Sequence, residues 1–245
     1  MARNKNIIVT GSSRGIGLDT AKRFCEGGYN VFITGRNDAV LAKIAENIGA
    51  MGYFACDLAS DDGYLNLYNA AKEKIGPINV LVNNAGGYLY APIEDVEMPQ
   101  IENLMNLNFR APYALSQLCI ADMKENRWGR IINIGSISGS VGEANASLYS
   151  ATKSALIGMT KALALELAQY DITVNTVNPG WVDTELAKEA LSDSGLGNAE
   201  CIDMIPQRRF VEPCEISALV NYLASDEAKG VTGQIINVCA GLSLG

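Results

Sequence analysis

Short apolar runs alternate along the chain with longer stretches whose apolar residues recur at helical spacing. The runs at 6–10, 30–34, 52–56, 79–83, 130–135, 172–177 and 234–238 are rich in Ile and Val and nearly continuous in apolar character. That is the pattern of strands buried on both faces of a parallel sheet. The stretches at 15–27, 38–49, 61–75, 97–124, 148–169 and 213–225 read as helices. The alternation predicts an α/β fold, a doubly wound seven-stranded parallel sheet with helices on both faces. No linker, repeat or low-complexity segment interrupts it, so one domain is expected over 1–245. The rhythm breaks at 181–212, around Gly195 and Gly197. A long segment there reads as a substrate lid over about 184–210, or else as a passive surface excursion.

Composition narrows the chemistry. The net charge of -8 argues against nucleic acid, whose binding needs clustered Lys and Arg. No apolar run reaches membrane-spanning length, and Ile7-Ile8-Val9 is too short for the core of a signal peptide. The six cysteines are scattered without a C-x-x-C pair, which reads as reduced thiols of a cytoplasmic protein. The chain has no histidine. That removes Ser-His-Asp and Cys-His schemes and most zinc sites, and no metal is expected. Proton chemistry falls to Tyr, Lys, Asp, Glu, Ser or Cys.

The first strand runs into Thr10-Gly11-Ser12-Ser13-Arg14-Gly15-Ile16-Gly17 and then a helix. Glycines at 11, 15 and 17 allow a tight turn and close backbone approach to a pyrophosphate, and the helix N-terminus adds free N–H groups and its dipole. Between strand and helix this is a Rossmann-type dinucleotide site. An acid about twenty residues on would bind the ribose 2′-hydroxyl of NAD. Here Gly35 stands at that place, and Arg36 with Arg14 can clasp a 2′-phosphate. NADPH/NADP is therefore expected ahead of NAD.

Tyr149 and Lys153 lie four apart on a predicted helix, with Ser136 thirteen positions upstream. Such a spacing puts phenol and ammonium on one face. A nearby ammonium is expected to lower the tyrosine pKa and make it a proton donor or acceptor near neutrality. The alternatives are a packed aromatic, an exposed helix charge and a turn serine. Asn108 is a poor mid-helix residue and so has a reason to be there. Asn83 reads as structural.

Together these residues resemble the short-chain dehydrogenase/reductase family over essentially the whole chain. The resemblance is carried by Thr10–Gly17, Asp57-Leu58, Asn83-Asn84-Ala85-Gly86, Asn108, Ser136, Tyr149, Lys153, and Pro179-Gly180 followed by Thr184. It implies that Gly11, Ser13, Arg14, Gly15, Ile16, Gly17, Arg36, Asp57, Leu58, Asn84, Ala85, Gly86, Pro179, Gly180, Val182 and Thr184 contact the cofactor, together with Tyr149 and Lys153. It implies Tyr149 as proton donor in reduction and Lys153 as partner of the nicotinamide ribose. Ser136 would hold the substrate oxygen, and Asn108 would anchor a water that relays protons to Lys153. A homotetramer with D2 symmetry follows from the same likeness, with helices 97–124 and 148–169 at one interface and the last strand at a second.

The substrate is less legible. The runs Arg130–Ser136 and Leu223–Ala228 resemble 3-oxoacyl-carrier-protein reductases, and the ending Ile236–Leu242 resembles aromatic-polyketide ketoreductases. A 3-oxoacyl thioester on acyl carrier protein or CoA is expected first, and a carrier-free cyclic or polyketide ketone second. A catalytically silent dinucleotide-binding regulator is a distant third. Arg127 and Arg130 are candidates for carrier docking; Arg208 and Arg209 either meet a CoA or carrier phosphate or pair at the surface. Ser138 and Trp181 join Ser136 and Tyr149 as expected substrate contacts, with Gly87, Tyr88, Tyr90, Gly139, Val141 and Glu143 around them. Glu143, facing the pocket, would disfavour a carboxylate.

Overall fold

The computed structural model describes residues 5–195 and 197–244. In chain order the elements begin β1 (Asn6–Val9), α1 (Gly15–Glu26), β2 (Asn30–Gly35), α2 (Asp38–Ile48), β3 (Gly52–Ala55), α3 (Gly63–Ile75), β4 (Val80–Asn83), α4 (Met98–Met105) and α5 (Ala111–Asn126). They continue with β5 (Gly129–Ile134), α6 (Ser138–Val141), α7 (Ser147–Leu167), β6 (Ile172–Pro179), α8 (Glu185–Ser194), α9 (Asn198–Met204), α10 (Pro213–Leu223) and β7 (Ile235–Val238). The seven strands are parallel, in the order β3-β2-β1-β4-β5-β6-β7. Each lies within two residues of its predicted position.

Alternation along each strand sorts the core into two layers. Ile7, Val9, Val31, Ile33, Val80 and Val82 pack with Phe24, Leu41, Ile216 and Val220 from α1, α2 and α10. Ile8, Phe32, Leu81 and Ile131 point the other way, toward Leu67, Leu115, Cys119 and Leu167 from α3, α5 and α7. Strands buried on both faces therefore read as unbroken apolar runs. The edge strands β3 and β7 are only half-buried.

The strand order reverses between β1 and β4, and at such a switch point the strand ends diverge and leave a crevice. There a cleft of about 420 Å³ opens, lined by the glycine turn, the ends of β2 to β4 and part of α8.

One expectation needs correction. The helix expected at 97–124 is interrupted by a wide π turn, Asn106–Arg110, so α4 and α5 are separate. The 181–212 excursion, expected as a lid or a surface segment, is built largely from helices. It contains α8 and α9 and is closed at its base by a parallel bridge between Val182 and Val211, with Val211 N donating to Trp181 O at 2.9 Å and Asp183 N to Val211 O at 2.9 Å. Leu191, Cys201 and Ile205 form a small core of their own inside it, with Trp181 and Phe210 packed against them. Among the described residues, no helix is long and apolar enough to cross a membrane.

Candidate active site

The glycine turn is held from below. Thr10 Oγ1 accepts from the backbone N–H groups of Asn84 and Ala85, both at 2.9 Å. Asn84 Nδ2 donates to the carbonyls of Thr10 at 2.9 Å and Gly11 at 3.0 Å, so its side chain braces the turn. A Cβ on Gly17 would lie 2.2 Å from Gly11 O and 2.4 Å from Asn84 Nδ2; this glycine lets helix and turn touch. Gly11 has φ +66, and its Cβ would meet the Ala85 backbone at 2.8 Å. No side chain caps the N-terminus of α1. Its orphan N–H groups lie at a cleft wall made by Gly11, Ser13, Gly15 and Ile16, a fit for an anionic phosphate group.

Most of the expected cofactor residues border this cleft: Arg14, Arg36, Asp57, Leu58, Asn84, Ala85, Gly86 and Thr184 in addition to the turn. Arg36 is exposed and makes no hydrogen bond or ion pair with a described residue, so its guanidinium is free for an anion. Arg14 differs: it pairs with Glu189 of α8 at 2.9 Å. The sequence reading missed Glu189, because nothing in the pattern indicated that α8 would fold back onto the glycine turn. Gly35 sits 3.4 Å from Ser13, measured from its would-be Cβ. Asp57 Oδ1 accepts from Ala59 N at 2.9 Å, an Asx turn.

The remaining expected cofactor residues lie off that wall: Tyr149 and Lys153, described below, and Gly17, Pro179, Gly180 and Val182. Gly17 is a packing contact as described. Pro179 ends β6 and its carbonyl accepts from Ile137 N at 3.0 Å. A Cβ on Gly180 would strike Cys239 at 2.8 Å, and Val182 is buried at the base of the 181–212 excursion. Thr184 caps α8, accepting from Ala187 N at 3.3 Å, and its methyl stands 3.1 Å from a would-be Cβ at Gly15.

At the other end, β5 delivers Ser136 and α7 delivers Tyr149 and Lys153. Lys153 is 5 % exposed; its ammonium donates to Ile134 O at 2.9 Å and lies 5.7 Å from the centroid of the Tyr149 ring. Burial pulls its pKa down to about 8. Burial pushes the Tyr149 phenol up to about 12; a hydrogen bond with Ser136 works against that rise and the Glu143 carboxylate adds to it. The expected lowering of Tyr149 by Lys153 is thus reversed, because desolvation of the phenolate outweighs the partners around it. Tyr149 is a neutral O–H at neutral pH, the form that can give a proton to an alkoxide.

Asn108 sits in the π turn and is buried. Its Oδ1 accepts from Gly87 N at 2.9 Å, and its Nδ2 donates to Gly87 O and to Thr152 Oγ1, both at 3.0 Å. Both donors are used and one acceptor position on Oδ1 remains. A Cβ on Gly86 would come within 3.3 Å of both Asn108 Oδ1 and Lys153 Nζ, so Gly86 joins the cleft to the tyrosine end. The π turn is what aims Asn108 inward; such turns recur at functional positions. Asn83 is structural, donating to Asn133 Oδ1 at 2.9 Å.

Residues 5–195, which carry the glycine turn, the cleft and the tyrosine end, match a family model described as short chain dehydrogenase. The chain belongs to the short-chain dehydrogenase family. It is 33% identical over 244 residues to the 3-oxoacyl-[acyl-carrier-protein] reductase MabA of Mycobacterium tuberculosis, covering 99% of this chain and 94% of that protein. It is 37% identical over 251 residues to a putative ketoacyl reductase of Streptomyces coelicolor, covering 96% and 95%. Among solved structures it resembles a point variant of the actinorhodin polyketide ketoreductase with NADPH, with a TM-score of 0.92, 34% identity and coverage of 98% and 97%.

Of the residues expected around the substrate, Ser138, Glu143 and Tyr88 are brought together with Ser136. Trp181 is half-buried and packs against the small core of Leu191, Cys201 and Ile205. The expected docking cations are largely spent. Arg130 is 1 % exposed, stacked 4.3 Å from the Trp128 ring centroid, with its Nη1 on the carbonyls of Gly129 and Asp171 at 2.8 and 2.9 Å. Arg127 is exposed and donates to Gln169 O at 3.2 Å. Arg208 pairs with Asp203 at 2.8 Å and Arg209 with Glu215 at 2.6 Å, the surface-pairing alternative.

Proposed function

We propose that this protein is an NADPH-dependent reductase that converts a ketone, foremost a 3-oxoacyl thioester, to a secondary alcohol. The observation that carries this is the neutral Tyr149 phenol, set beside Ser136 and Lys153, joined through Gly86 to a cleft whose far end is an uncapped helix N-terminus and a free Arg36. Reduced nicotinamide, when bound, supplies the hydride. The chain's own residues do the rest. Gly11, Ser13, Gly15 and Ile16 receive the pyrophosphate, and Arg36 takes the 2′-phosphate. Asp57 and Leu58 flank the adenine, while Ala85, Gly86, Pro179, Gly180, Val182 and Thr184 shape the nicotinamide half. Ser136 and Tyr149 hold the carbonyl oxygen, and Tyr149 O–H gives it the proton as charge develops. Lys153 binds the ribose hydroxyls, and Asn108 Oδ1 holds a water through which Tyr149 recovers its proton.

A ring-shaped polyketide ketone is the second reading, favoured by the similarity to the Streptomyces coelicolor and actinorhodin reductases. We read the whole chain as a single cytoplasmic domain with α8 and α9 as its lid, assembling as a homotetramer. NADPH consumption with acetoacetyl-CoA and with bicyclic ketones, each repeated with NADH, tests the reading. Turnover of the thioester with NADPH supports it; turnover of ring ketones alone selects the second reading; preference for NADH refutes the role given to Arg36.

A further inference from the structure

Glu143 belongs to no part of that mechanism, yet it is built firmly into the site. It lies between α6 and α7, six residues before Tyr149. Its Oε1 accepts from Tyr88 O–H at 2.6 Å and its Oε2 from Ser138 O–H at 2.8 Å. Ser138 Oγ in turn accepts from Ser136 at 3.1 Å. The Tyr88 ring packs edge-on against Tyr149, with centroids 4.9 Å apart. One donor on each oxygen fixes the carboxylate relative to the two residues that hold the reacting carbonyl.

A carboxylate offers about four acceptor positions, and the two named bonds fill only part of them. Glu143 is half-buried, and among the described residues no lysine or arginine pairs with it. Cations on the lid side are committed elsewhere: Lys188 to Asp183 at 3.0 Å, Arg208 to Asp203 and Arg209 to Glu215. Lys153 points its ammonium at Ile134 O. A negative group on the substrate would therefore face a fixed negative charge with no counter-charge. A hydroxyl or protonated amine would find an acceptor already oriented by Tyr88 and Ser138.

Resting on the ketone-reductase reading, we propose that Glu143 sets the substrate class: the ketone carries no negative charge near its carbonyl and presents a hydrogen-bond donor, hydroxyl or protonated amine, to the Glu143 carboxylate. This separates the chain from reductases of free 3-oxo acids; a 3-oxoacyl thioester meets the charge condition, and meets the donor condition where its acyl chain carries a hydroxyl or amine. The second reading, a hydroxylated polyketide ring, supplies such a donor directly.

Matched probes test it, with NADPH and the full chain. Ethyl acetoacetate and acetoacetate share one keto group and differ by a charge. N-methyl-4-piperidone, cationic at neutral pH, and 4-methylcyclohexanone share one ring and differ by the opposite charge. Wild type should favour the ester over the acid by ~100-fold in kcat/KM, and the amine over the hydrocarbon by ~10-fold. Glu143→Gln should shrink both preferences by at least ~10-fold, with NADPH binding, read by fluorescence, unchanged. Wild-type ratios near one overturn the proposal even if the variant does not fold. So does Glu143→Gln with both ratios intact. Wild type that consumes no NADPH with any neutral ketone, thioesters included, refutes the reductase reading itself and is distinct from a failure confined to the ratios.

Discussion

At the glycine turn the site is made of backbone; at Tyr149 it is made of side chains. The first end depends on close approaches that only glycine permits, with Thr10 and Asn84 saturating the polar groups beneath. Its recognition is fixed in covalent geometry and costs nothing in titration. The second end holds a phenol pushed up to about 12 and an ammonium pulled down to about 8 within one face of α7. It carries electrostatic strain that the first end lacks. On the proposed reading, binding and chemistry fall to different elements, which meet around Gly86, Gly87 and Tyr88.

The sharpest break in the comparison comes from the side-chain end. Tyr149→Phe should lower kcat by ~1,000-fold while leaving the Kd for NADPH within about twofold, since Tyr149 is not on the cleft wall. Steady-state kinetics beside fluorescence titration reads both. The reverse pattern should follow from Gly17→Ala, whose methyl has no room against Gly11 O. Stability should fall by ~2 kcal/mol, and NADPH binding should weaken by ~100-fold as the turn shifts, both read by denaturant melts and titration.

Lys153 sharpens the contrast through pH. Between about 8 and the ordinary 10.5 the unfolded chain holds a proton that the folded chain has released. Stability therefore rises with pH across that window; the cost of the buried ammonium is full below about 8 and gone above 10.5. Lys153→Met should stabilise the fold by ~2 kcal/mol at about pH 7, after allowing for the lost bond to Ile134 O. That gain should fade as the pH approaches 10.5, while activity is lost at every pH. Thermal melts of both proteins across that range check it.

The smallest effects lie on the exposed arginines. Arg36→Ala should weaken NADPH by ~10-fold with NADH nearly untouched. Glu189→Gln, by freeing Arg14, should strengthen NADPH by ~3-fold. Equal changes for both cofactors would show that neither arginine meets the 2′-phosphate.

The strands, the glycine turn and the shared helix face of Tyr149 and Lys153 were legible because each rests on local pattern. Apolar runs mark buried strands, and a helix turn fixes the Tyr149–Lys153 spacing. What stayed hidden depends on contacts far apart in sequence. Arg130 carries the same charge in a string of letters whether it faces solvent or, as here, stacks on Trp128. The π turn at Asn106–Arg110 leaves the helical pattern nearly intact, and only an ill-suited Asn108 hinted at it. The direction of the Tyr149 shift was misread because spacing reveals a neighbouring charge but not how much water burial removes.

A double-variant cycle tests the division most directly. Tyr149→Phe, Arg36→Ala and the pair are compared in kcat/KM with NADPH and one ketone. Two ends that act separately predict effects that add to within about 0.5 kcal/mol. A coupling of more than about 1 kcal/mol would contradict it, and would mean that phosphate recognition and proton delivery belong to one cooperative unit.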